Sequence, residues 1–158
     1  MILERFEIRP FYSNDMCDFR EMFCTYFRND LKLEIADNEV EPVCTKIADS
    51  MISGIISLDI LRVDGKSVGF ICYQIDKPDS DWCERDGWGN IREIYINCCM
   101  RRKGFGAILV AHAEKILYGK GVEHIYLTSD AADEFWDSCG YKKTGKVCDI
   151  NLSTIYEK

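Results

Sequence analysis

The chain has 158 residues, 47% of them hydrophobic, and sets 27 acidic side chains against 20 Lys and Arg for a formal net charge of −7 at pH 7. That length and apolar content suit one domain with a real core, residues 1–158, and the negative balance excludes nucleic acid, whose binding takes a broad basic face. No apolar run approaches the roughly 18 residues of a membrane span, and charges at Glu4, Arg5, Glu7 and Arg9 stand where a signal peptide is apolar, so a cytoplasmic protein with no membrane partner is expected.

A first strand is predicted over residues 3–9, ended by Pro10. Asn14 or Asp15 caps a helix whose Met16, Phe19, Phe23 and Phe27 recur at helical spacing. Residues 30–41 read as acidic and irregular, and a second helix is expected after Pro42, carrying Val43, Ile47 and Met51 and ending near Gly54. Residues 56–63 and 68–75 form a hairpin on the turn Asp64-Gly65-Lys66. A polar loop over 76–89 leads to a strand at 91–96. A helix from Gly104 to about Tyr118 is predicted to bury Phe105, Ile108, Leu109, His112 and Ile116 on one stripe, with Gly119 and Gly121 stopping it. His112 is thereby read as a core histidine. Residues 124–128 form the next strand, parallel to 91–96 in a βαβ unit. Asp130 caps a short helix bearing Phe135-Trp136, and residues 141–147 and 152–156 close the fold as a hairpin.

Nine cysteines are scattered through apolar patterns without any Cys-x-x-Cys spacing, and only two histidines accompany them, so reduced, mostly structural thiols and no metal are expected. Cys98-Cys99 stands apart because it adjoins a cationic loop. The acidic residues of 30–41, and Asp76, Asp79, Asp81, Glu84 and Asp86 in the other polar loop, are read as solvated charge ahead of any role toward a cationic ligand.

The most informative stretch is Arg101-Arg102-Lys103-Gly104-Phe105-Gly106-Ala107, placed between a strand and a helix. Two glycines spaced by one residue let the backbone turn tightly and approach a ligand. The helix that follows presents unpaired N–H groups, and three cations add charge to that partial positive pole. A polyphosphate fits such a segment. The nucleotide P-loop needs Gly-Lys-Ser or Gly-Lys-Thr, which does not follow Gly106, and the dinucleotide fingerprint needs glycine where Leu109 stands.

What remains, Arg101-x-x-Gly104-x-Gly106, resembles the pyrophosphate-binding loop of the GNAT superfamily of acyl-coenzyme A N-acyltransferases. Phe135-Trp136-Asp137-Ser138-Cys139-Gly140-Tyr141 stands where that family has a short helix bearing Phe-Tyr and a Gly-Phe that opens the last hairpin. The likeness covers residues 54–158, while the first fifty match only in helix count. It implies a mixed α/β (α+β) fold: a mostly antiparallel sheet of six to seven strands, a central βαβ unit, and helices on both faces. It also implies acetyl-coenzyme A as cosubstrate, held by Tyr95, Ile96, Arg101, Arg102, Lys103, Gly104, Phe105, Gly106 and Ala107, with the pantetheine arm added to the strand at 91–96 like a further strand. A backbone N–H near Tyr95 or Ile96 then polarises the thioester carbonyl.

By the same resemblance the function is N-acetyl transfer to an amine of a small molecule or peptide, directly in a ternary complex, in a monomer or homodimer; the alternative is a non-catalytic coenzyme A binding or regulatory domain. Glu93 is the candidate base or amine-binding carboxylate, since GNAT enzymes often place an acid on this strand, and the other reading of it is a surface salt bridge. Trp136 replaces the tyrosine that often protonates the leaving thiolate, and an indole N–H cannot do so. Trp136 is therefore assigned to packing against the cofactor or the core, and Tyr141 or Tyr126 stands as the acid unless the thiolate leaves without help.

Overall fold

Asp64 and Gly65 adopt positive φ, +49° and +81°, the pair of left-handed residues that a tight two-residue hairpin turn requires. The turn joins β2 (Ser57–Val63) to β3 (Lys66–Ile75). Before it lies β1 (Phe6–Pro10), antiparallel to β2 with Ile8 opposite Leu61; after it come β4 (Gly89–Ile96), β5 (Ile125–Thr128), β6 (Lys142–Val147) and β7 (Thr154–Glu157). In this computed structural model, which describes residues 5–158, the seven strands form one sheet in the order β1-β2-β3-β4-β5-β7-β6. The β1–β2, β5–β7 and β6–β7 ladders are antiparallel and β4–β5 is parallel, so the mixed, mostly antiparallel expectation holds. The first two residues of the predicted opening strand, 3 and 4, lie outside the described residues. Among the described residues, no helix is long and apolar enough to cross a membrane.

Two compact units divide the chain, the first running to Cys72 and again from Glu93 to Leu109, the second covering Tyr73–Arg92 and Val110–Lys158. In the first, α1 (Met16–Thr25) and α2 (Asp37–Ile52) supply Phe19, Phe23, Val40 and Cys44 to a core shared with Leu58, Ile60 and Phe70 of the strands. α1 continues into one wide turn over Tyr26–Asp30, where the Leu31 N–H reaches five residues back to the Tyr26 carbonyl at 3.0 Å. The second helix begins at Asp37, a turn and a half ahead of the predicted start at Pro42. The Glu39 carboxylate accepts from the Ala36 N–H at 3.2 Å, and acids fill the first turn, so end-capping and the helix dipole outweigh the donor missing at Pro42.

Asp15 is buried just ahead of α1. Its carboxylate accepts from both terminal nitrogens of Arg9, at 2.7 and 2.8 Å, and from the Tyr12 N–H at 2.8 Å. The Arg9 hydrogen bonds lower the Asp15 pKa against the opposing effect of burial. The unfolded chain therefore takes up the proton first as pH falls; the pair's contribution is whole above about pH 4 and is lost as pH drops through the lower, folded value. Asp15→Asn is expected to cost roughly 3 kcal/mol at pH 7 and less at pH 3, read by urea denaturation of both proteins at the two pH values.

In the second unit the polar loop is a built structure and only partly solvated. Asp76 is fully buried and accepts from Gln74 Nε2 at 2.8 Å, from the Glu84 and Arg85 N–H groups at 3.1 Å each, and from the Tyr126 hydroxyl. Reading Asp76 as solvated charge is corrected: its position two residues from the buried Gln74 continues the strand inward. α3 (Phe105–Gly119) buries Phe105, Leu109, Val110, Ala113 and Leu117, with Ile108, His112 and Ile116 only half-buried. Phe105 and Leu109 of the predicted stripe are thus core, while Ala113 and Leu117 take the buried places expected for His112 and Ile116, one position on. Asp130 does not cap α4 (Asp133–Ser138); its carboxylate accepts from the Thr154 N–H at 3.1 Å, and Ala132 at φ +62° precedes the helix.

Candidate active site

In the first unit β4 ends at Ile96, and Asn97 redirects the chain: its side chain accepts from the Cys99 N–H at 3.2 Å, and its own N–H donates to the Val68 carbonyl at 2.7 Å. A single turn over Cys98–Met100 follows. Arg102 then adopts φ +66° and Gly104 φ +88°. Left-handed residues alternating with ordinary ones turn successive N–H groups toward one concave side, an anion-binding arrangement. Arg102 holds this conformation at a cost of about 1–2 kcal/mol, which glycine avoids at 104. The helical ladder opens with the Ile108 N–H on the Gly104 carbonyl at 3.2 Å, so the N–H groups of Phe105, Gly106 and Ala107 precede it. A Cβ placed on Gly104 meets no atom within 4 Å. Arg102 and Lys103 are exposed beside this open face, and a pyrophosphate fits the donors and charges present.

Arg101 is engaged elsewhere. Its Nε donates to the Ile96 carbonyl at 2.8 Å, one terminal nitrogen reaches Asp30 at 2.7 Å, and the guanidinium lies 5.7 Å from the centre of the Tyr95 ring. It braces the loop against the end of β4. Phe105 seals the loop's inner side against Phe6, their ring centres 5.7 Å apart.

Upstream on β4, Glu93 and Tyr95 share one face, as period-2 alternation predicts. Tyr95 is buried and stacks on Phe70 at 5.7 Å. Burial raises its pKa against the lowering effect of Arg101. Gly69 of β3 permits the close approach there, since a Cβ on it would stand 2.5 Å from the Tyr95 carbonyl oxygen. Glu93 accepts a hydrogen bond from the Tyr26 hydroxyl, and the Tyr26 ring lies edge-on to Tyr95 at 6.2 Å and to Phe70 at 6.0 Å. Burial, then the Glu93 charge, push the Tyr26 pKa well up. The registered pairing of β4 with β5 covers Gly89↔Ile125 and Asn90↔Tyr126, and residues 91–96 lie beyond it.

Trp136 and Tyr141 belong to the second unit and meet each other edge-on at 5.7 Å. Both are buried. The Tyr141 hydroxyl donates to Glu114 at 3.1 Å, and Lys158 pairs with the same carboxylate at 2.9 Å. The Tyr126 hydroxyl donates to Asp76 and receives the Trp82 indole N–H at 3.1 Å. Burial first, then the carboxylate partner, raise the pKa of both phenols. Cys98 and Cys99 are exposed with their sulfurs 4.0 Å apart.

Tyr26 is the residue that sequence reasoning passed over. Its signal was available: it follows Phe19 by seven and Phe23 by three, which puts a polar tip on the apolar stripe of α1. Asp30, read as loop charge, is the partner of Arg101.

The sequence profile described as the Acetyltransferase (GNAT) family matches residues 13–141, through both units. The chain belongs to the GNAT acetyltransferase family. Its fold is similar to that of the PaiA N-acetyltransferase from Thermoplasma acidophilum, solved in complex with coenzyme A, at TM-score 0.74 and 18% identity over 98% of each chain. A GNAT-family acetyltransferase from Staphylococcus aureus Mu50 aligns at TM-score 0.76 and 13% identity, again over 98% of each chain. The aminoglycoside N-acetyltransferase AAC(6')-Iy, solved with coenzyme A, aligns at TM-score 0.70 and 16% identity over 92% of this chain and 93% of its own. Comparison with curated protein sequences returns no match.

Proposed function

We propose that this GNAT protein is an acetyl-coenzyme A dependent N-acetyltransferase that passes the acetyl group directly to an amine in a ternary complex. The observation that carries the reading is the loop with left-handed Arg102 and Gly104, opening α3 directly after β4. Bound there, acetyl-coenzyme A supplies an activated acyl thioester.

In this reading the N–H groups of Phe105, Gly106 and Ala107 hold the pyrophosphate, with Arg102 and Lys103 adding charge and Arg101 keeping the loop in place. The main chain of Tyr95 and Ile96 holds the pantetheine arm as an added strand, and an N–H there faces the carbonyl oxygen. Glu93 binds the incoming amine and takes its proton. Trp136 acts by packing.

Neither Tyr141 nor Tyr126 is ready to give up a proton, because each hydroxyl already donates to a carboxylate and has a raised pKa. A thiol of ordinary pKa, about 8.5, departs as its anion without a dedicated acid, and the chain is assigned none. The acceptor is a primary amine of a small molecule or peptide; coenzyme A complexes of related folds, one an aminoglycoside acetyltransferase, support both halves of the reading.

The test joins calorimetry of coenzyme A binding with thiol release from acetyl-coenzyme A across a panel of spermidine, kanamycin and a short peptide. Amine-dependent release is expected. Binding with no release on any amine would favour a non-catalytic coenzyme A binding domain, and no binding would sink both readings.

A further inference from the structure

We propose that Tyr26 is a positioning residue, whose phenol fixes the orientation and the ionisation of the Glu93 carboxylate; the proposal rests on the amine-binding role given to Glu93 above. The two residues lie 67 apart in sequence, and the hydroxyl donates to Glu93 Oε2. A phenol has one proton to give, and giving it to a carboxylate oxygen makes a charge-assisted bond that favours the ionised form.

The ring that carries the hydroxyl is itself held. It lies at 6.3, 5.7, 6.0 and 6.2 Å from the rings of Phe23, Phe27, Phe70 and Tyr95. It also opens the wide turn over Tyr26–Asp30, and such turns are frequent at functional sites. The charged and titratable groups around the pair include Asp30 at the end of that turn, Cys72 on β3, Tyr95 on β4 and Arg101 in the loop. Arg101 is paired with Asp30, and the phenol donates to Glu93 Oε2. Burial and the neighbouring negative charge keep that phenol protonated through the working pH range, so the donor does not switch off where amines become neutral.

The test uses the full chain labelled with 13C at the glutamate side-chain carboxyl, without cosubstrate. Glu93 is identified by the signal missing in Glu93→Gln. Tyr26→Phe is expected to move the Glu93 midpoint up by about one pH unit or more, the size of a hydrogen bond to a charged group, and to move the acidic limb of kcat/KM for spermidine acetylation by the same amount while coenzyme A affinity stays. An unmoved midpoint in folded Tyr26→Phe overturns the proposal. A moved midpoint in a protein that acetylates none of the amines would uphold the Tyr26–Glu93 linkage and sink the acetyltransferase reading instead. Should Tyr26→Phe fail to fold, the native protein decides: a downfield hydroxyl-proton resonance that moves upfield in Glu93→Gln, where a neutral amide oxygen replaces the carboxylate, supports the linkage, and its absence from the native spectrum overturns it.

Discussion

Glu93→Gln is expected to lower kcat/KM for amine acetylation about a hundredfold at pH 7, the lower end of what a positioned general base contributes. A lysine-like amine has a pKa roughly three units above neutrality, so freeing its lone pair at pH 7 costs about 4 kcal/mol, and a carboxylate in reach offsets part of that. The glutamine keeps an oxygen for the Tyr26 hydroxyl, so the substitution removes charge and basicity while leaving the aromatic packing around Tyr26 and Tyr95 in place. As pH rises the amine deprotonates unaided, and the two pH profiles of kcat/KM should converge above about pH 9. Superimposable profiles across the whole range would return Glu93 to a surface ion-pair role.

Gly104→Val is expected to weaken coenzyme A binding at least tenfold in a protein that remains folded. The glycine sits at φ +88° with open space where a Cβ would go, so valine clashes with nothing in the free protein but strains the loop by about 1–2 kcal/mol and projects methyl groups into the approach to the N–H donors. Gly121, at φ +91° with the same open surroundings beyond the end of α3, provides the control. Gly121→Val carries the same backbone strain without touching the loop and should leave affinity unchanged. Calorimetry and thermal unfolding of the two variants separate obstruction from strain; equal affinities for Gly104→Val and the native protein would remove the loop from the cofactor site.

Local chemistry made much of this molecule legible in its sequence. The Asp64-Gly65 turn, the strand-loop-helix around Gly104 and Gly106, and the βαβ order of β4, α3 and β5 each follow from residues that are neighbours in the chain, because turn geometry, capping and period-2 or helical alternation act over a few positions. The match to the GNAT profile over 13–141 spans all three. The start of α2 was missed because a proline weighed more in the sequence than the Glu39 cap does in the folded helix.

Only the tertiary structure decided which polar groups meet. Tyr26 and Glu93 lie 67 residues apart, and Asp30 and Arg101 71 apart; Asp76 and Tyr126 are separated by 50. Nothing in local propensity couples such positions. Their pairing comes from burial: α1 packing its apolar stripe on the strands of the first unit takes the hydroxyl of Tyr26 out of bulk water, the loop through Glu84 and Arg85 does the same for the carboxylate of Asp76 in the second, and a buried polar group without a partner costs more than most single contacts provide. The sequence by itself therefore determined the family and the strand-loop-helix around Gly104, while the fold decided that Glu93 accepts from Tyr26, that Arg101 braces the loop through Asp30, and that the loop aspartate Asp76 is core.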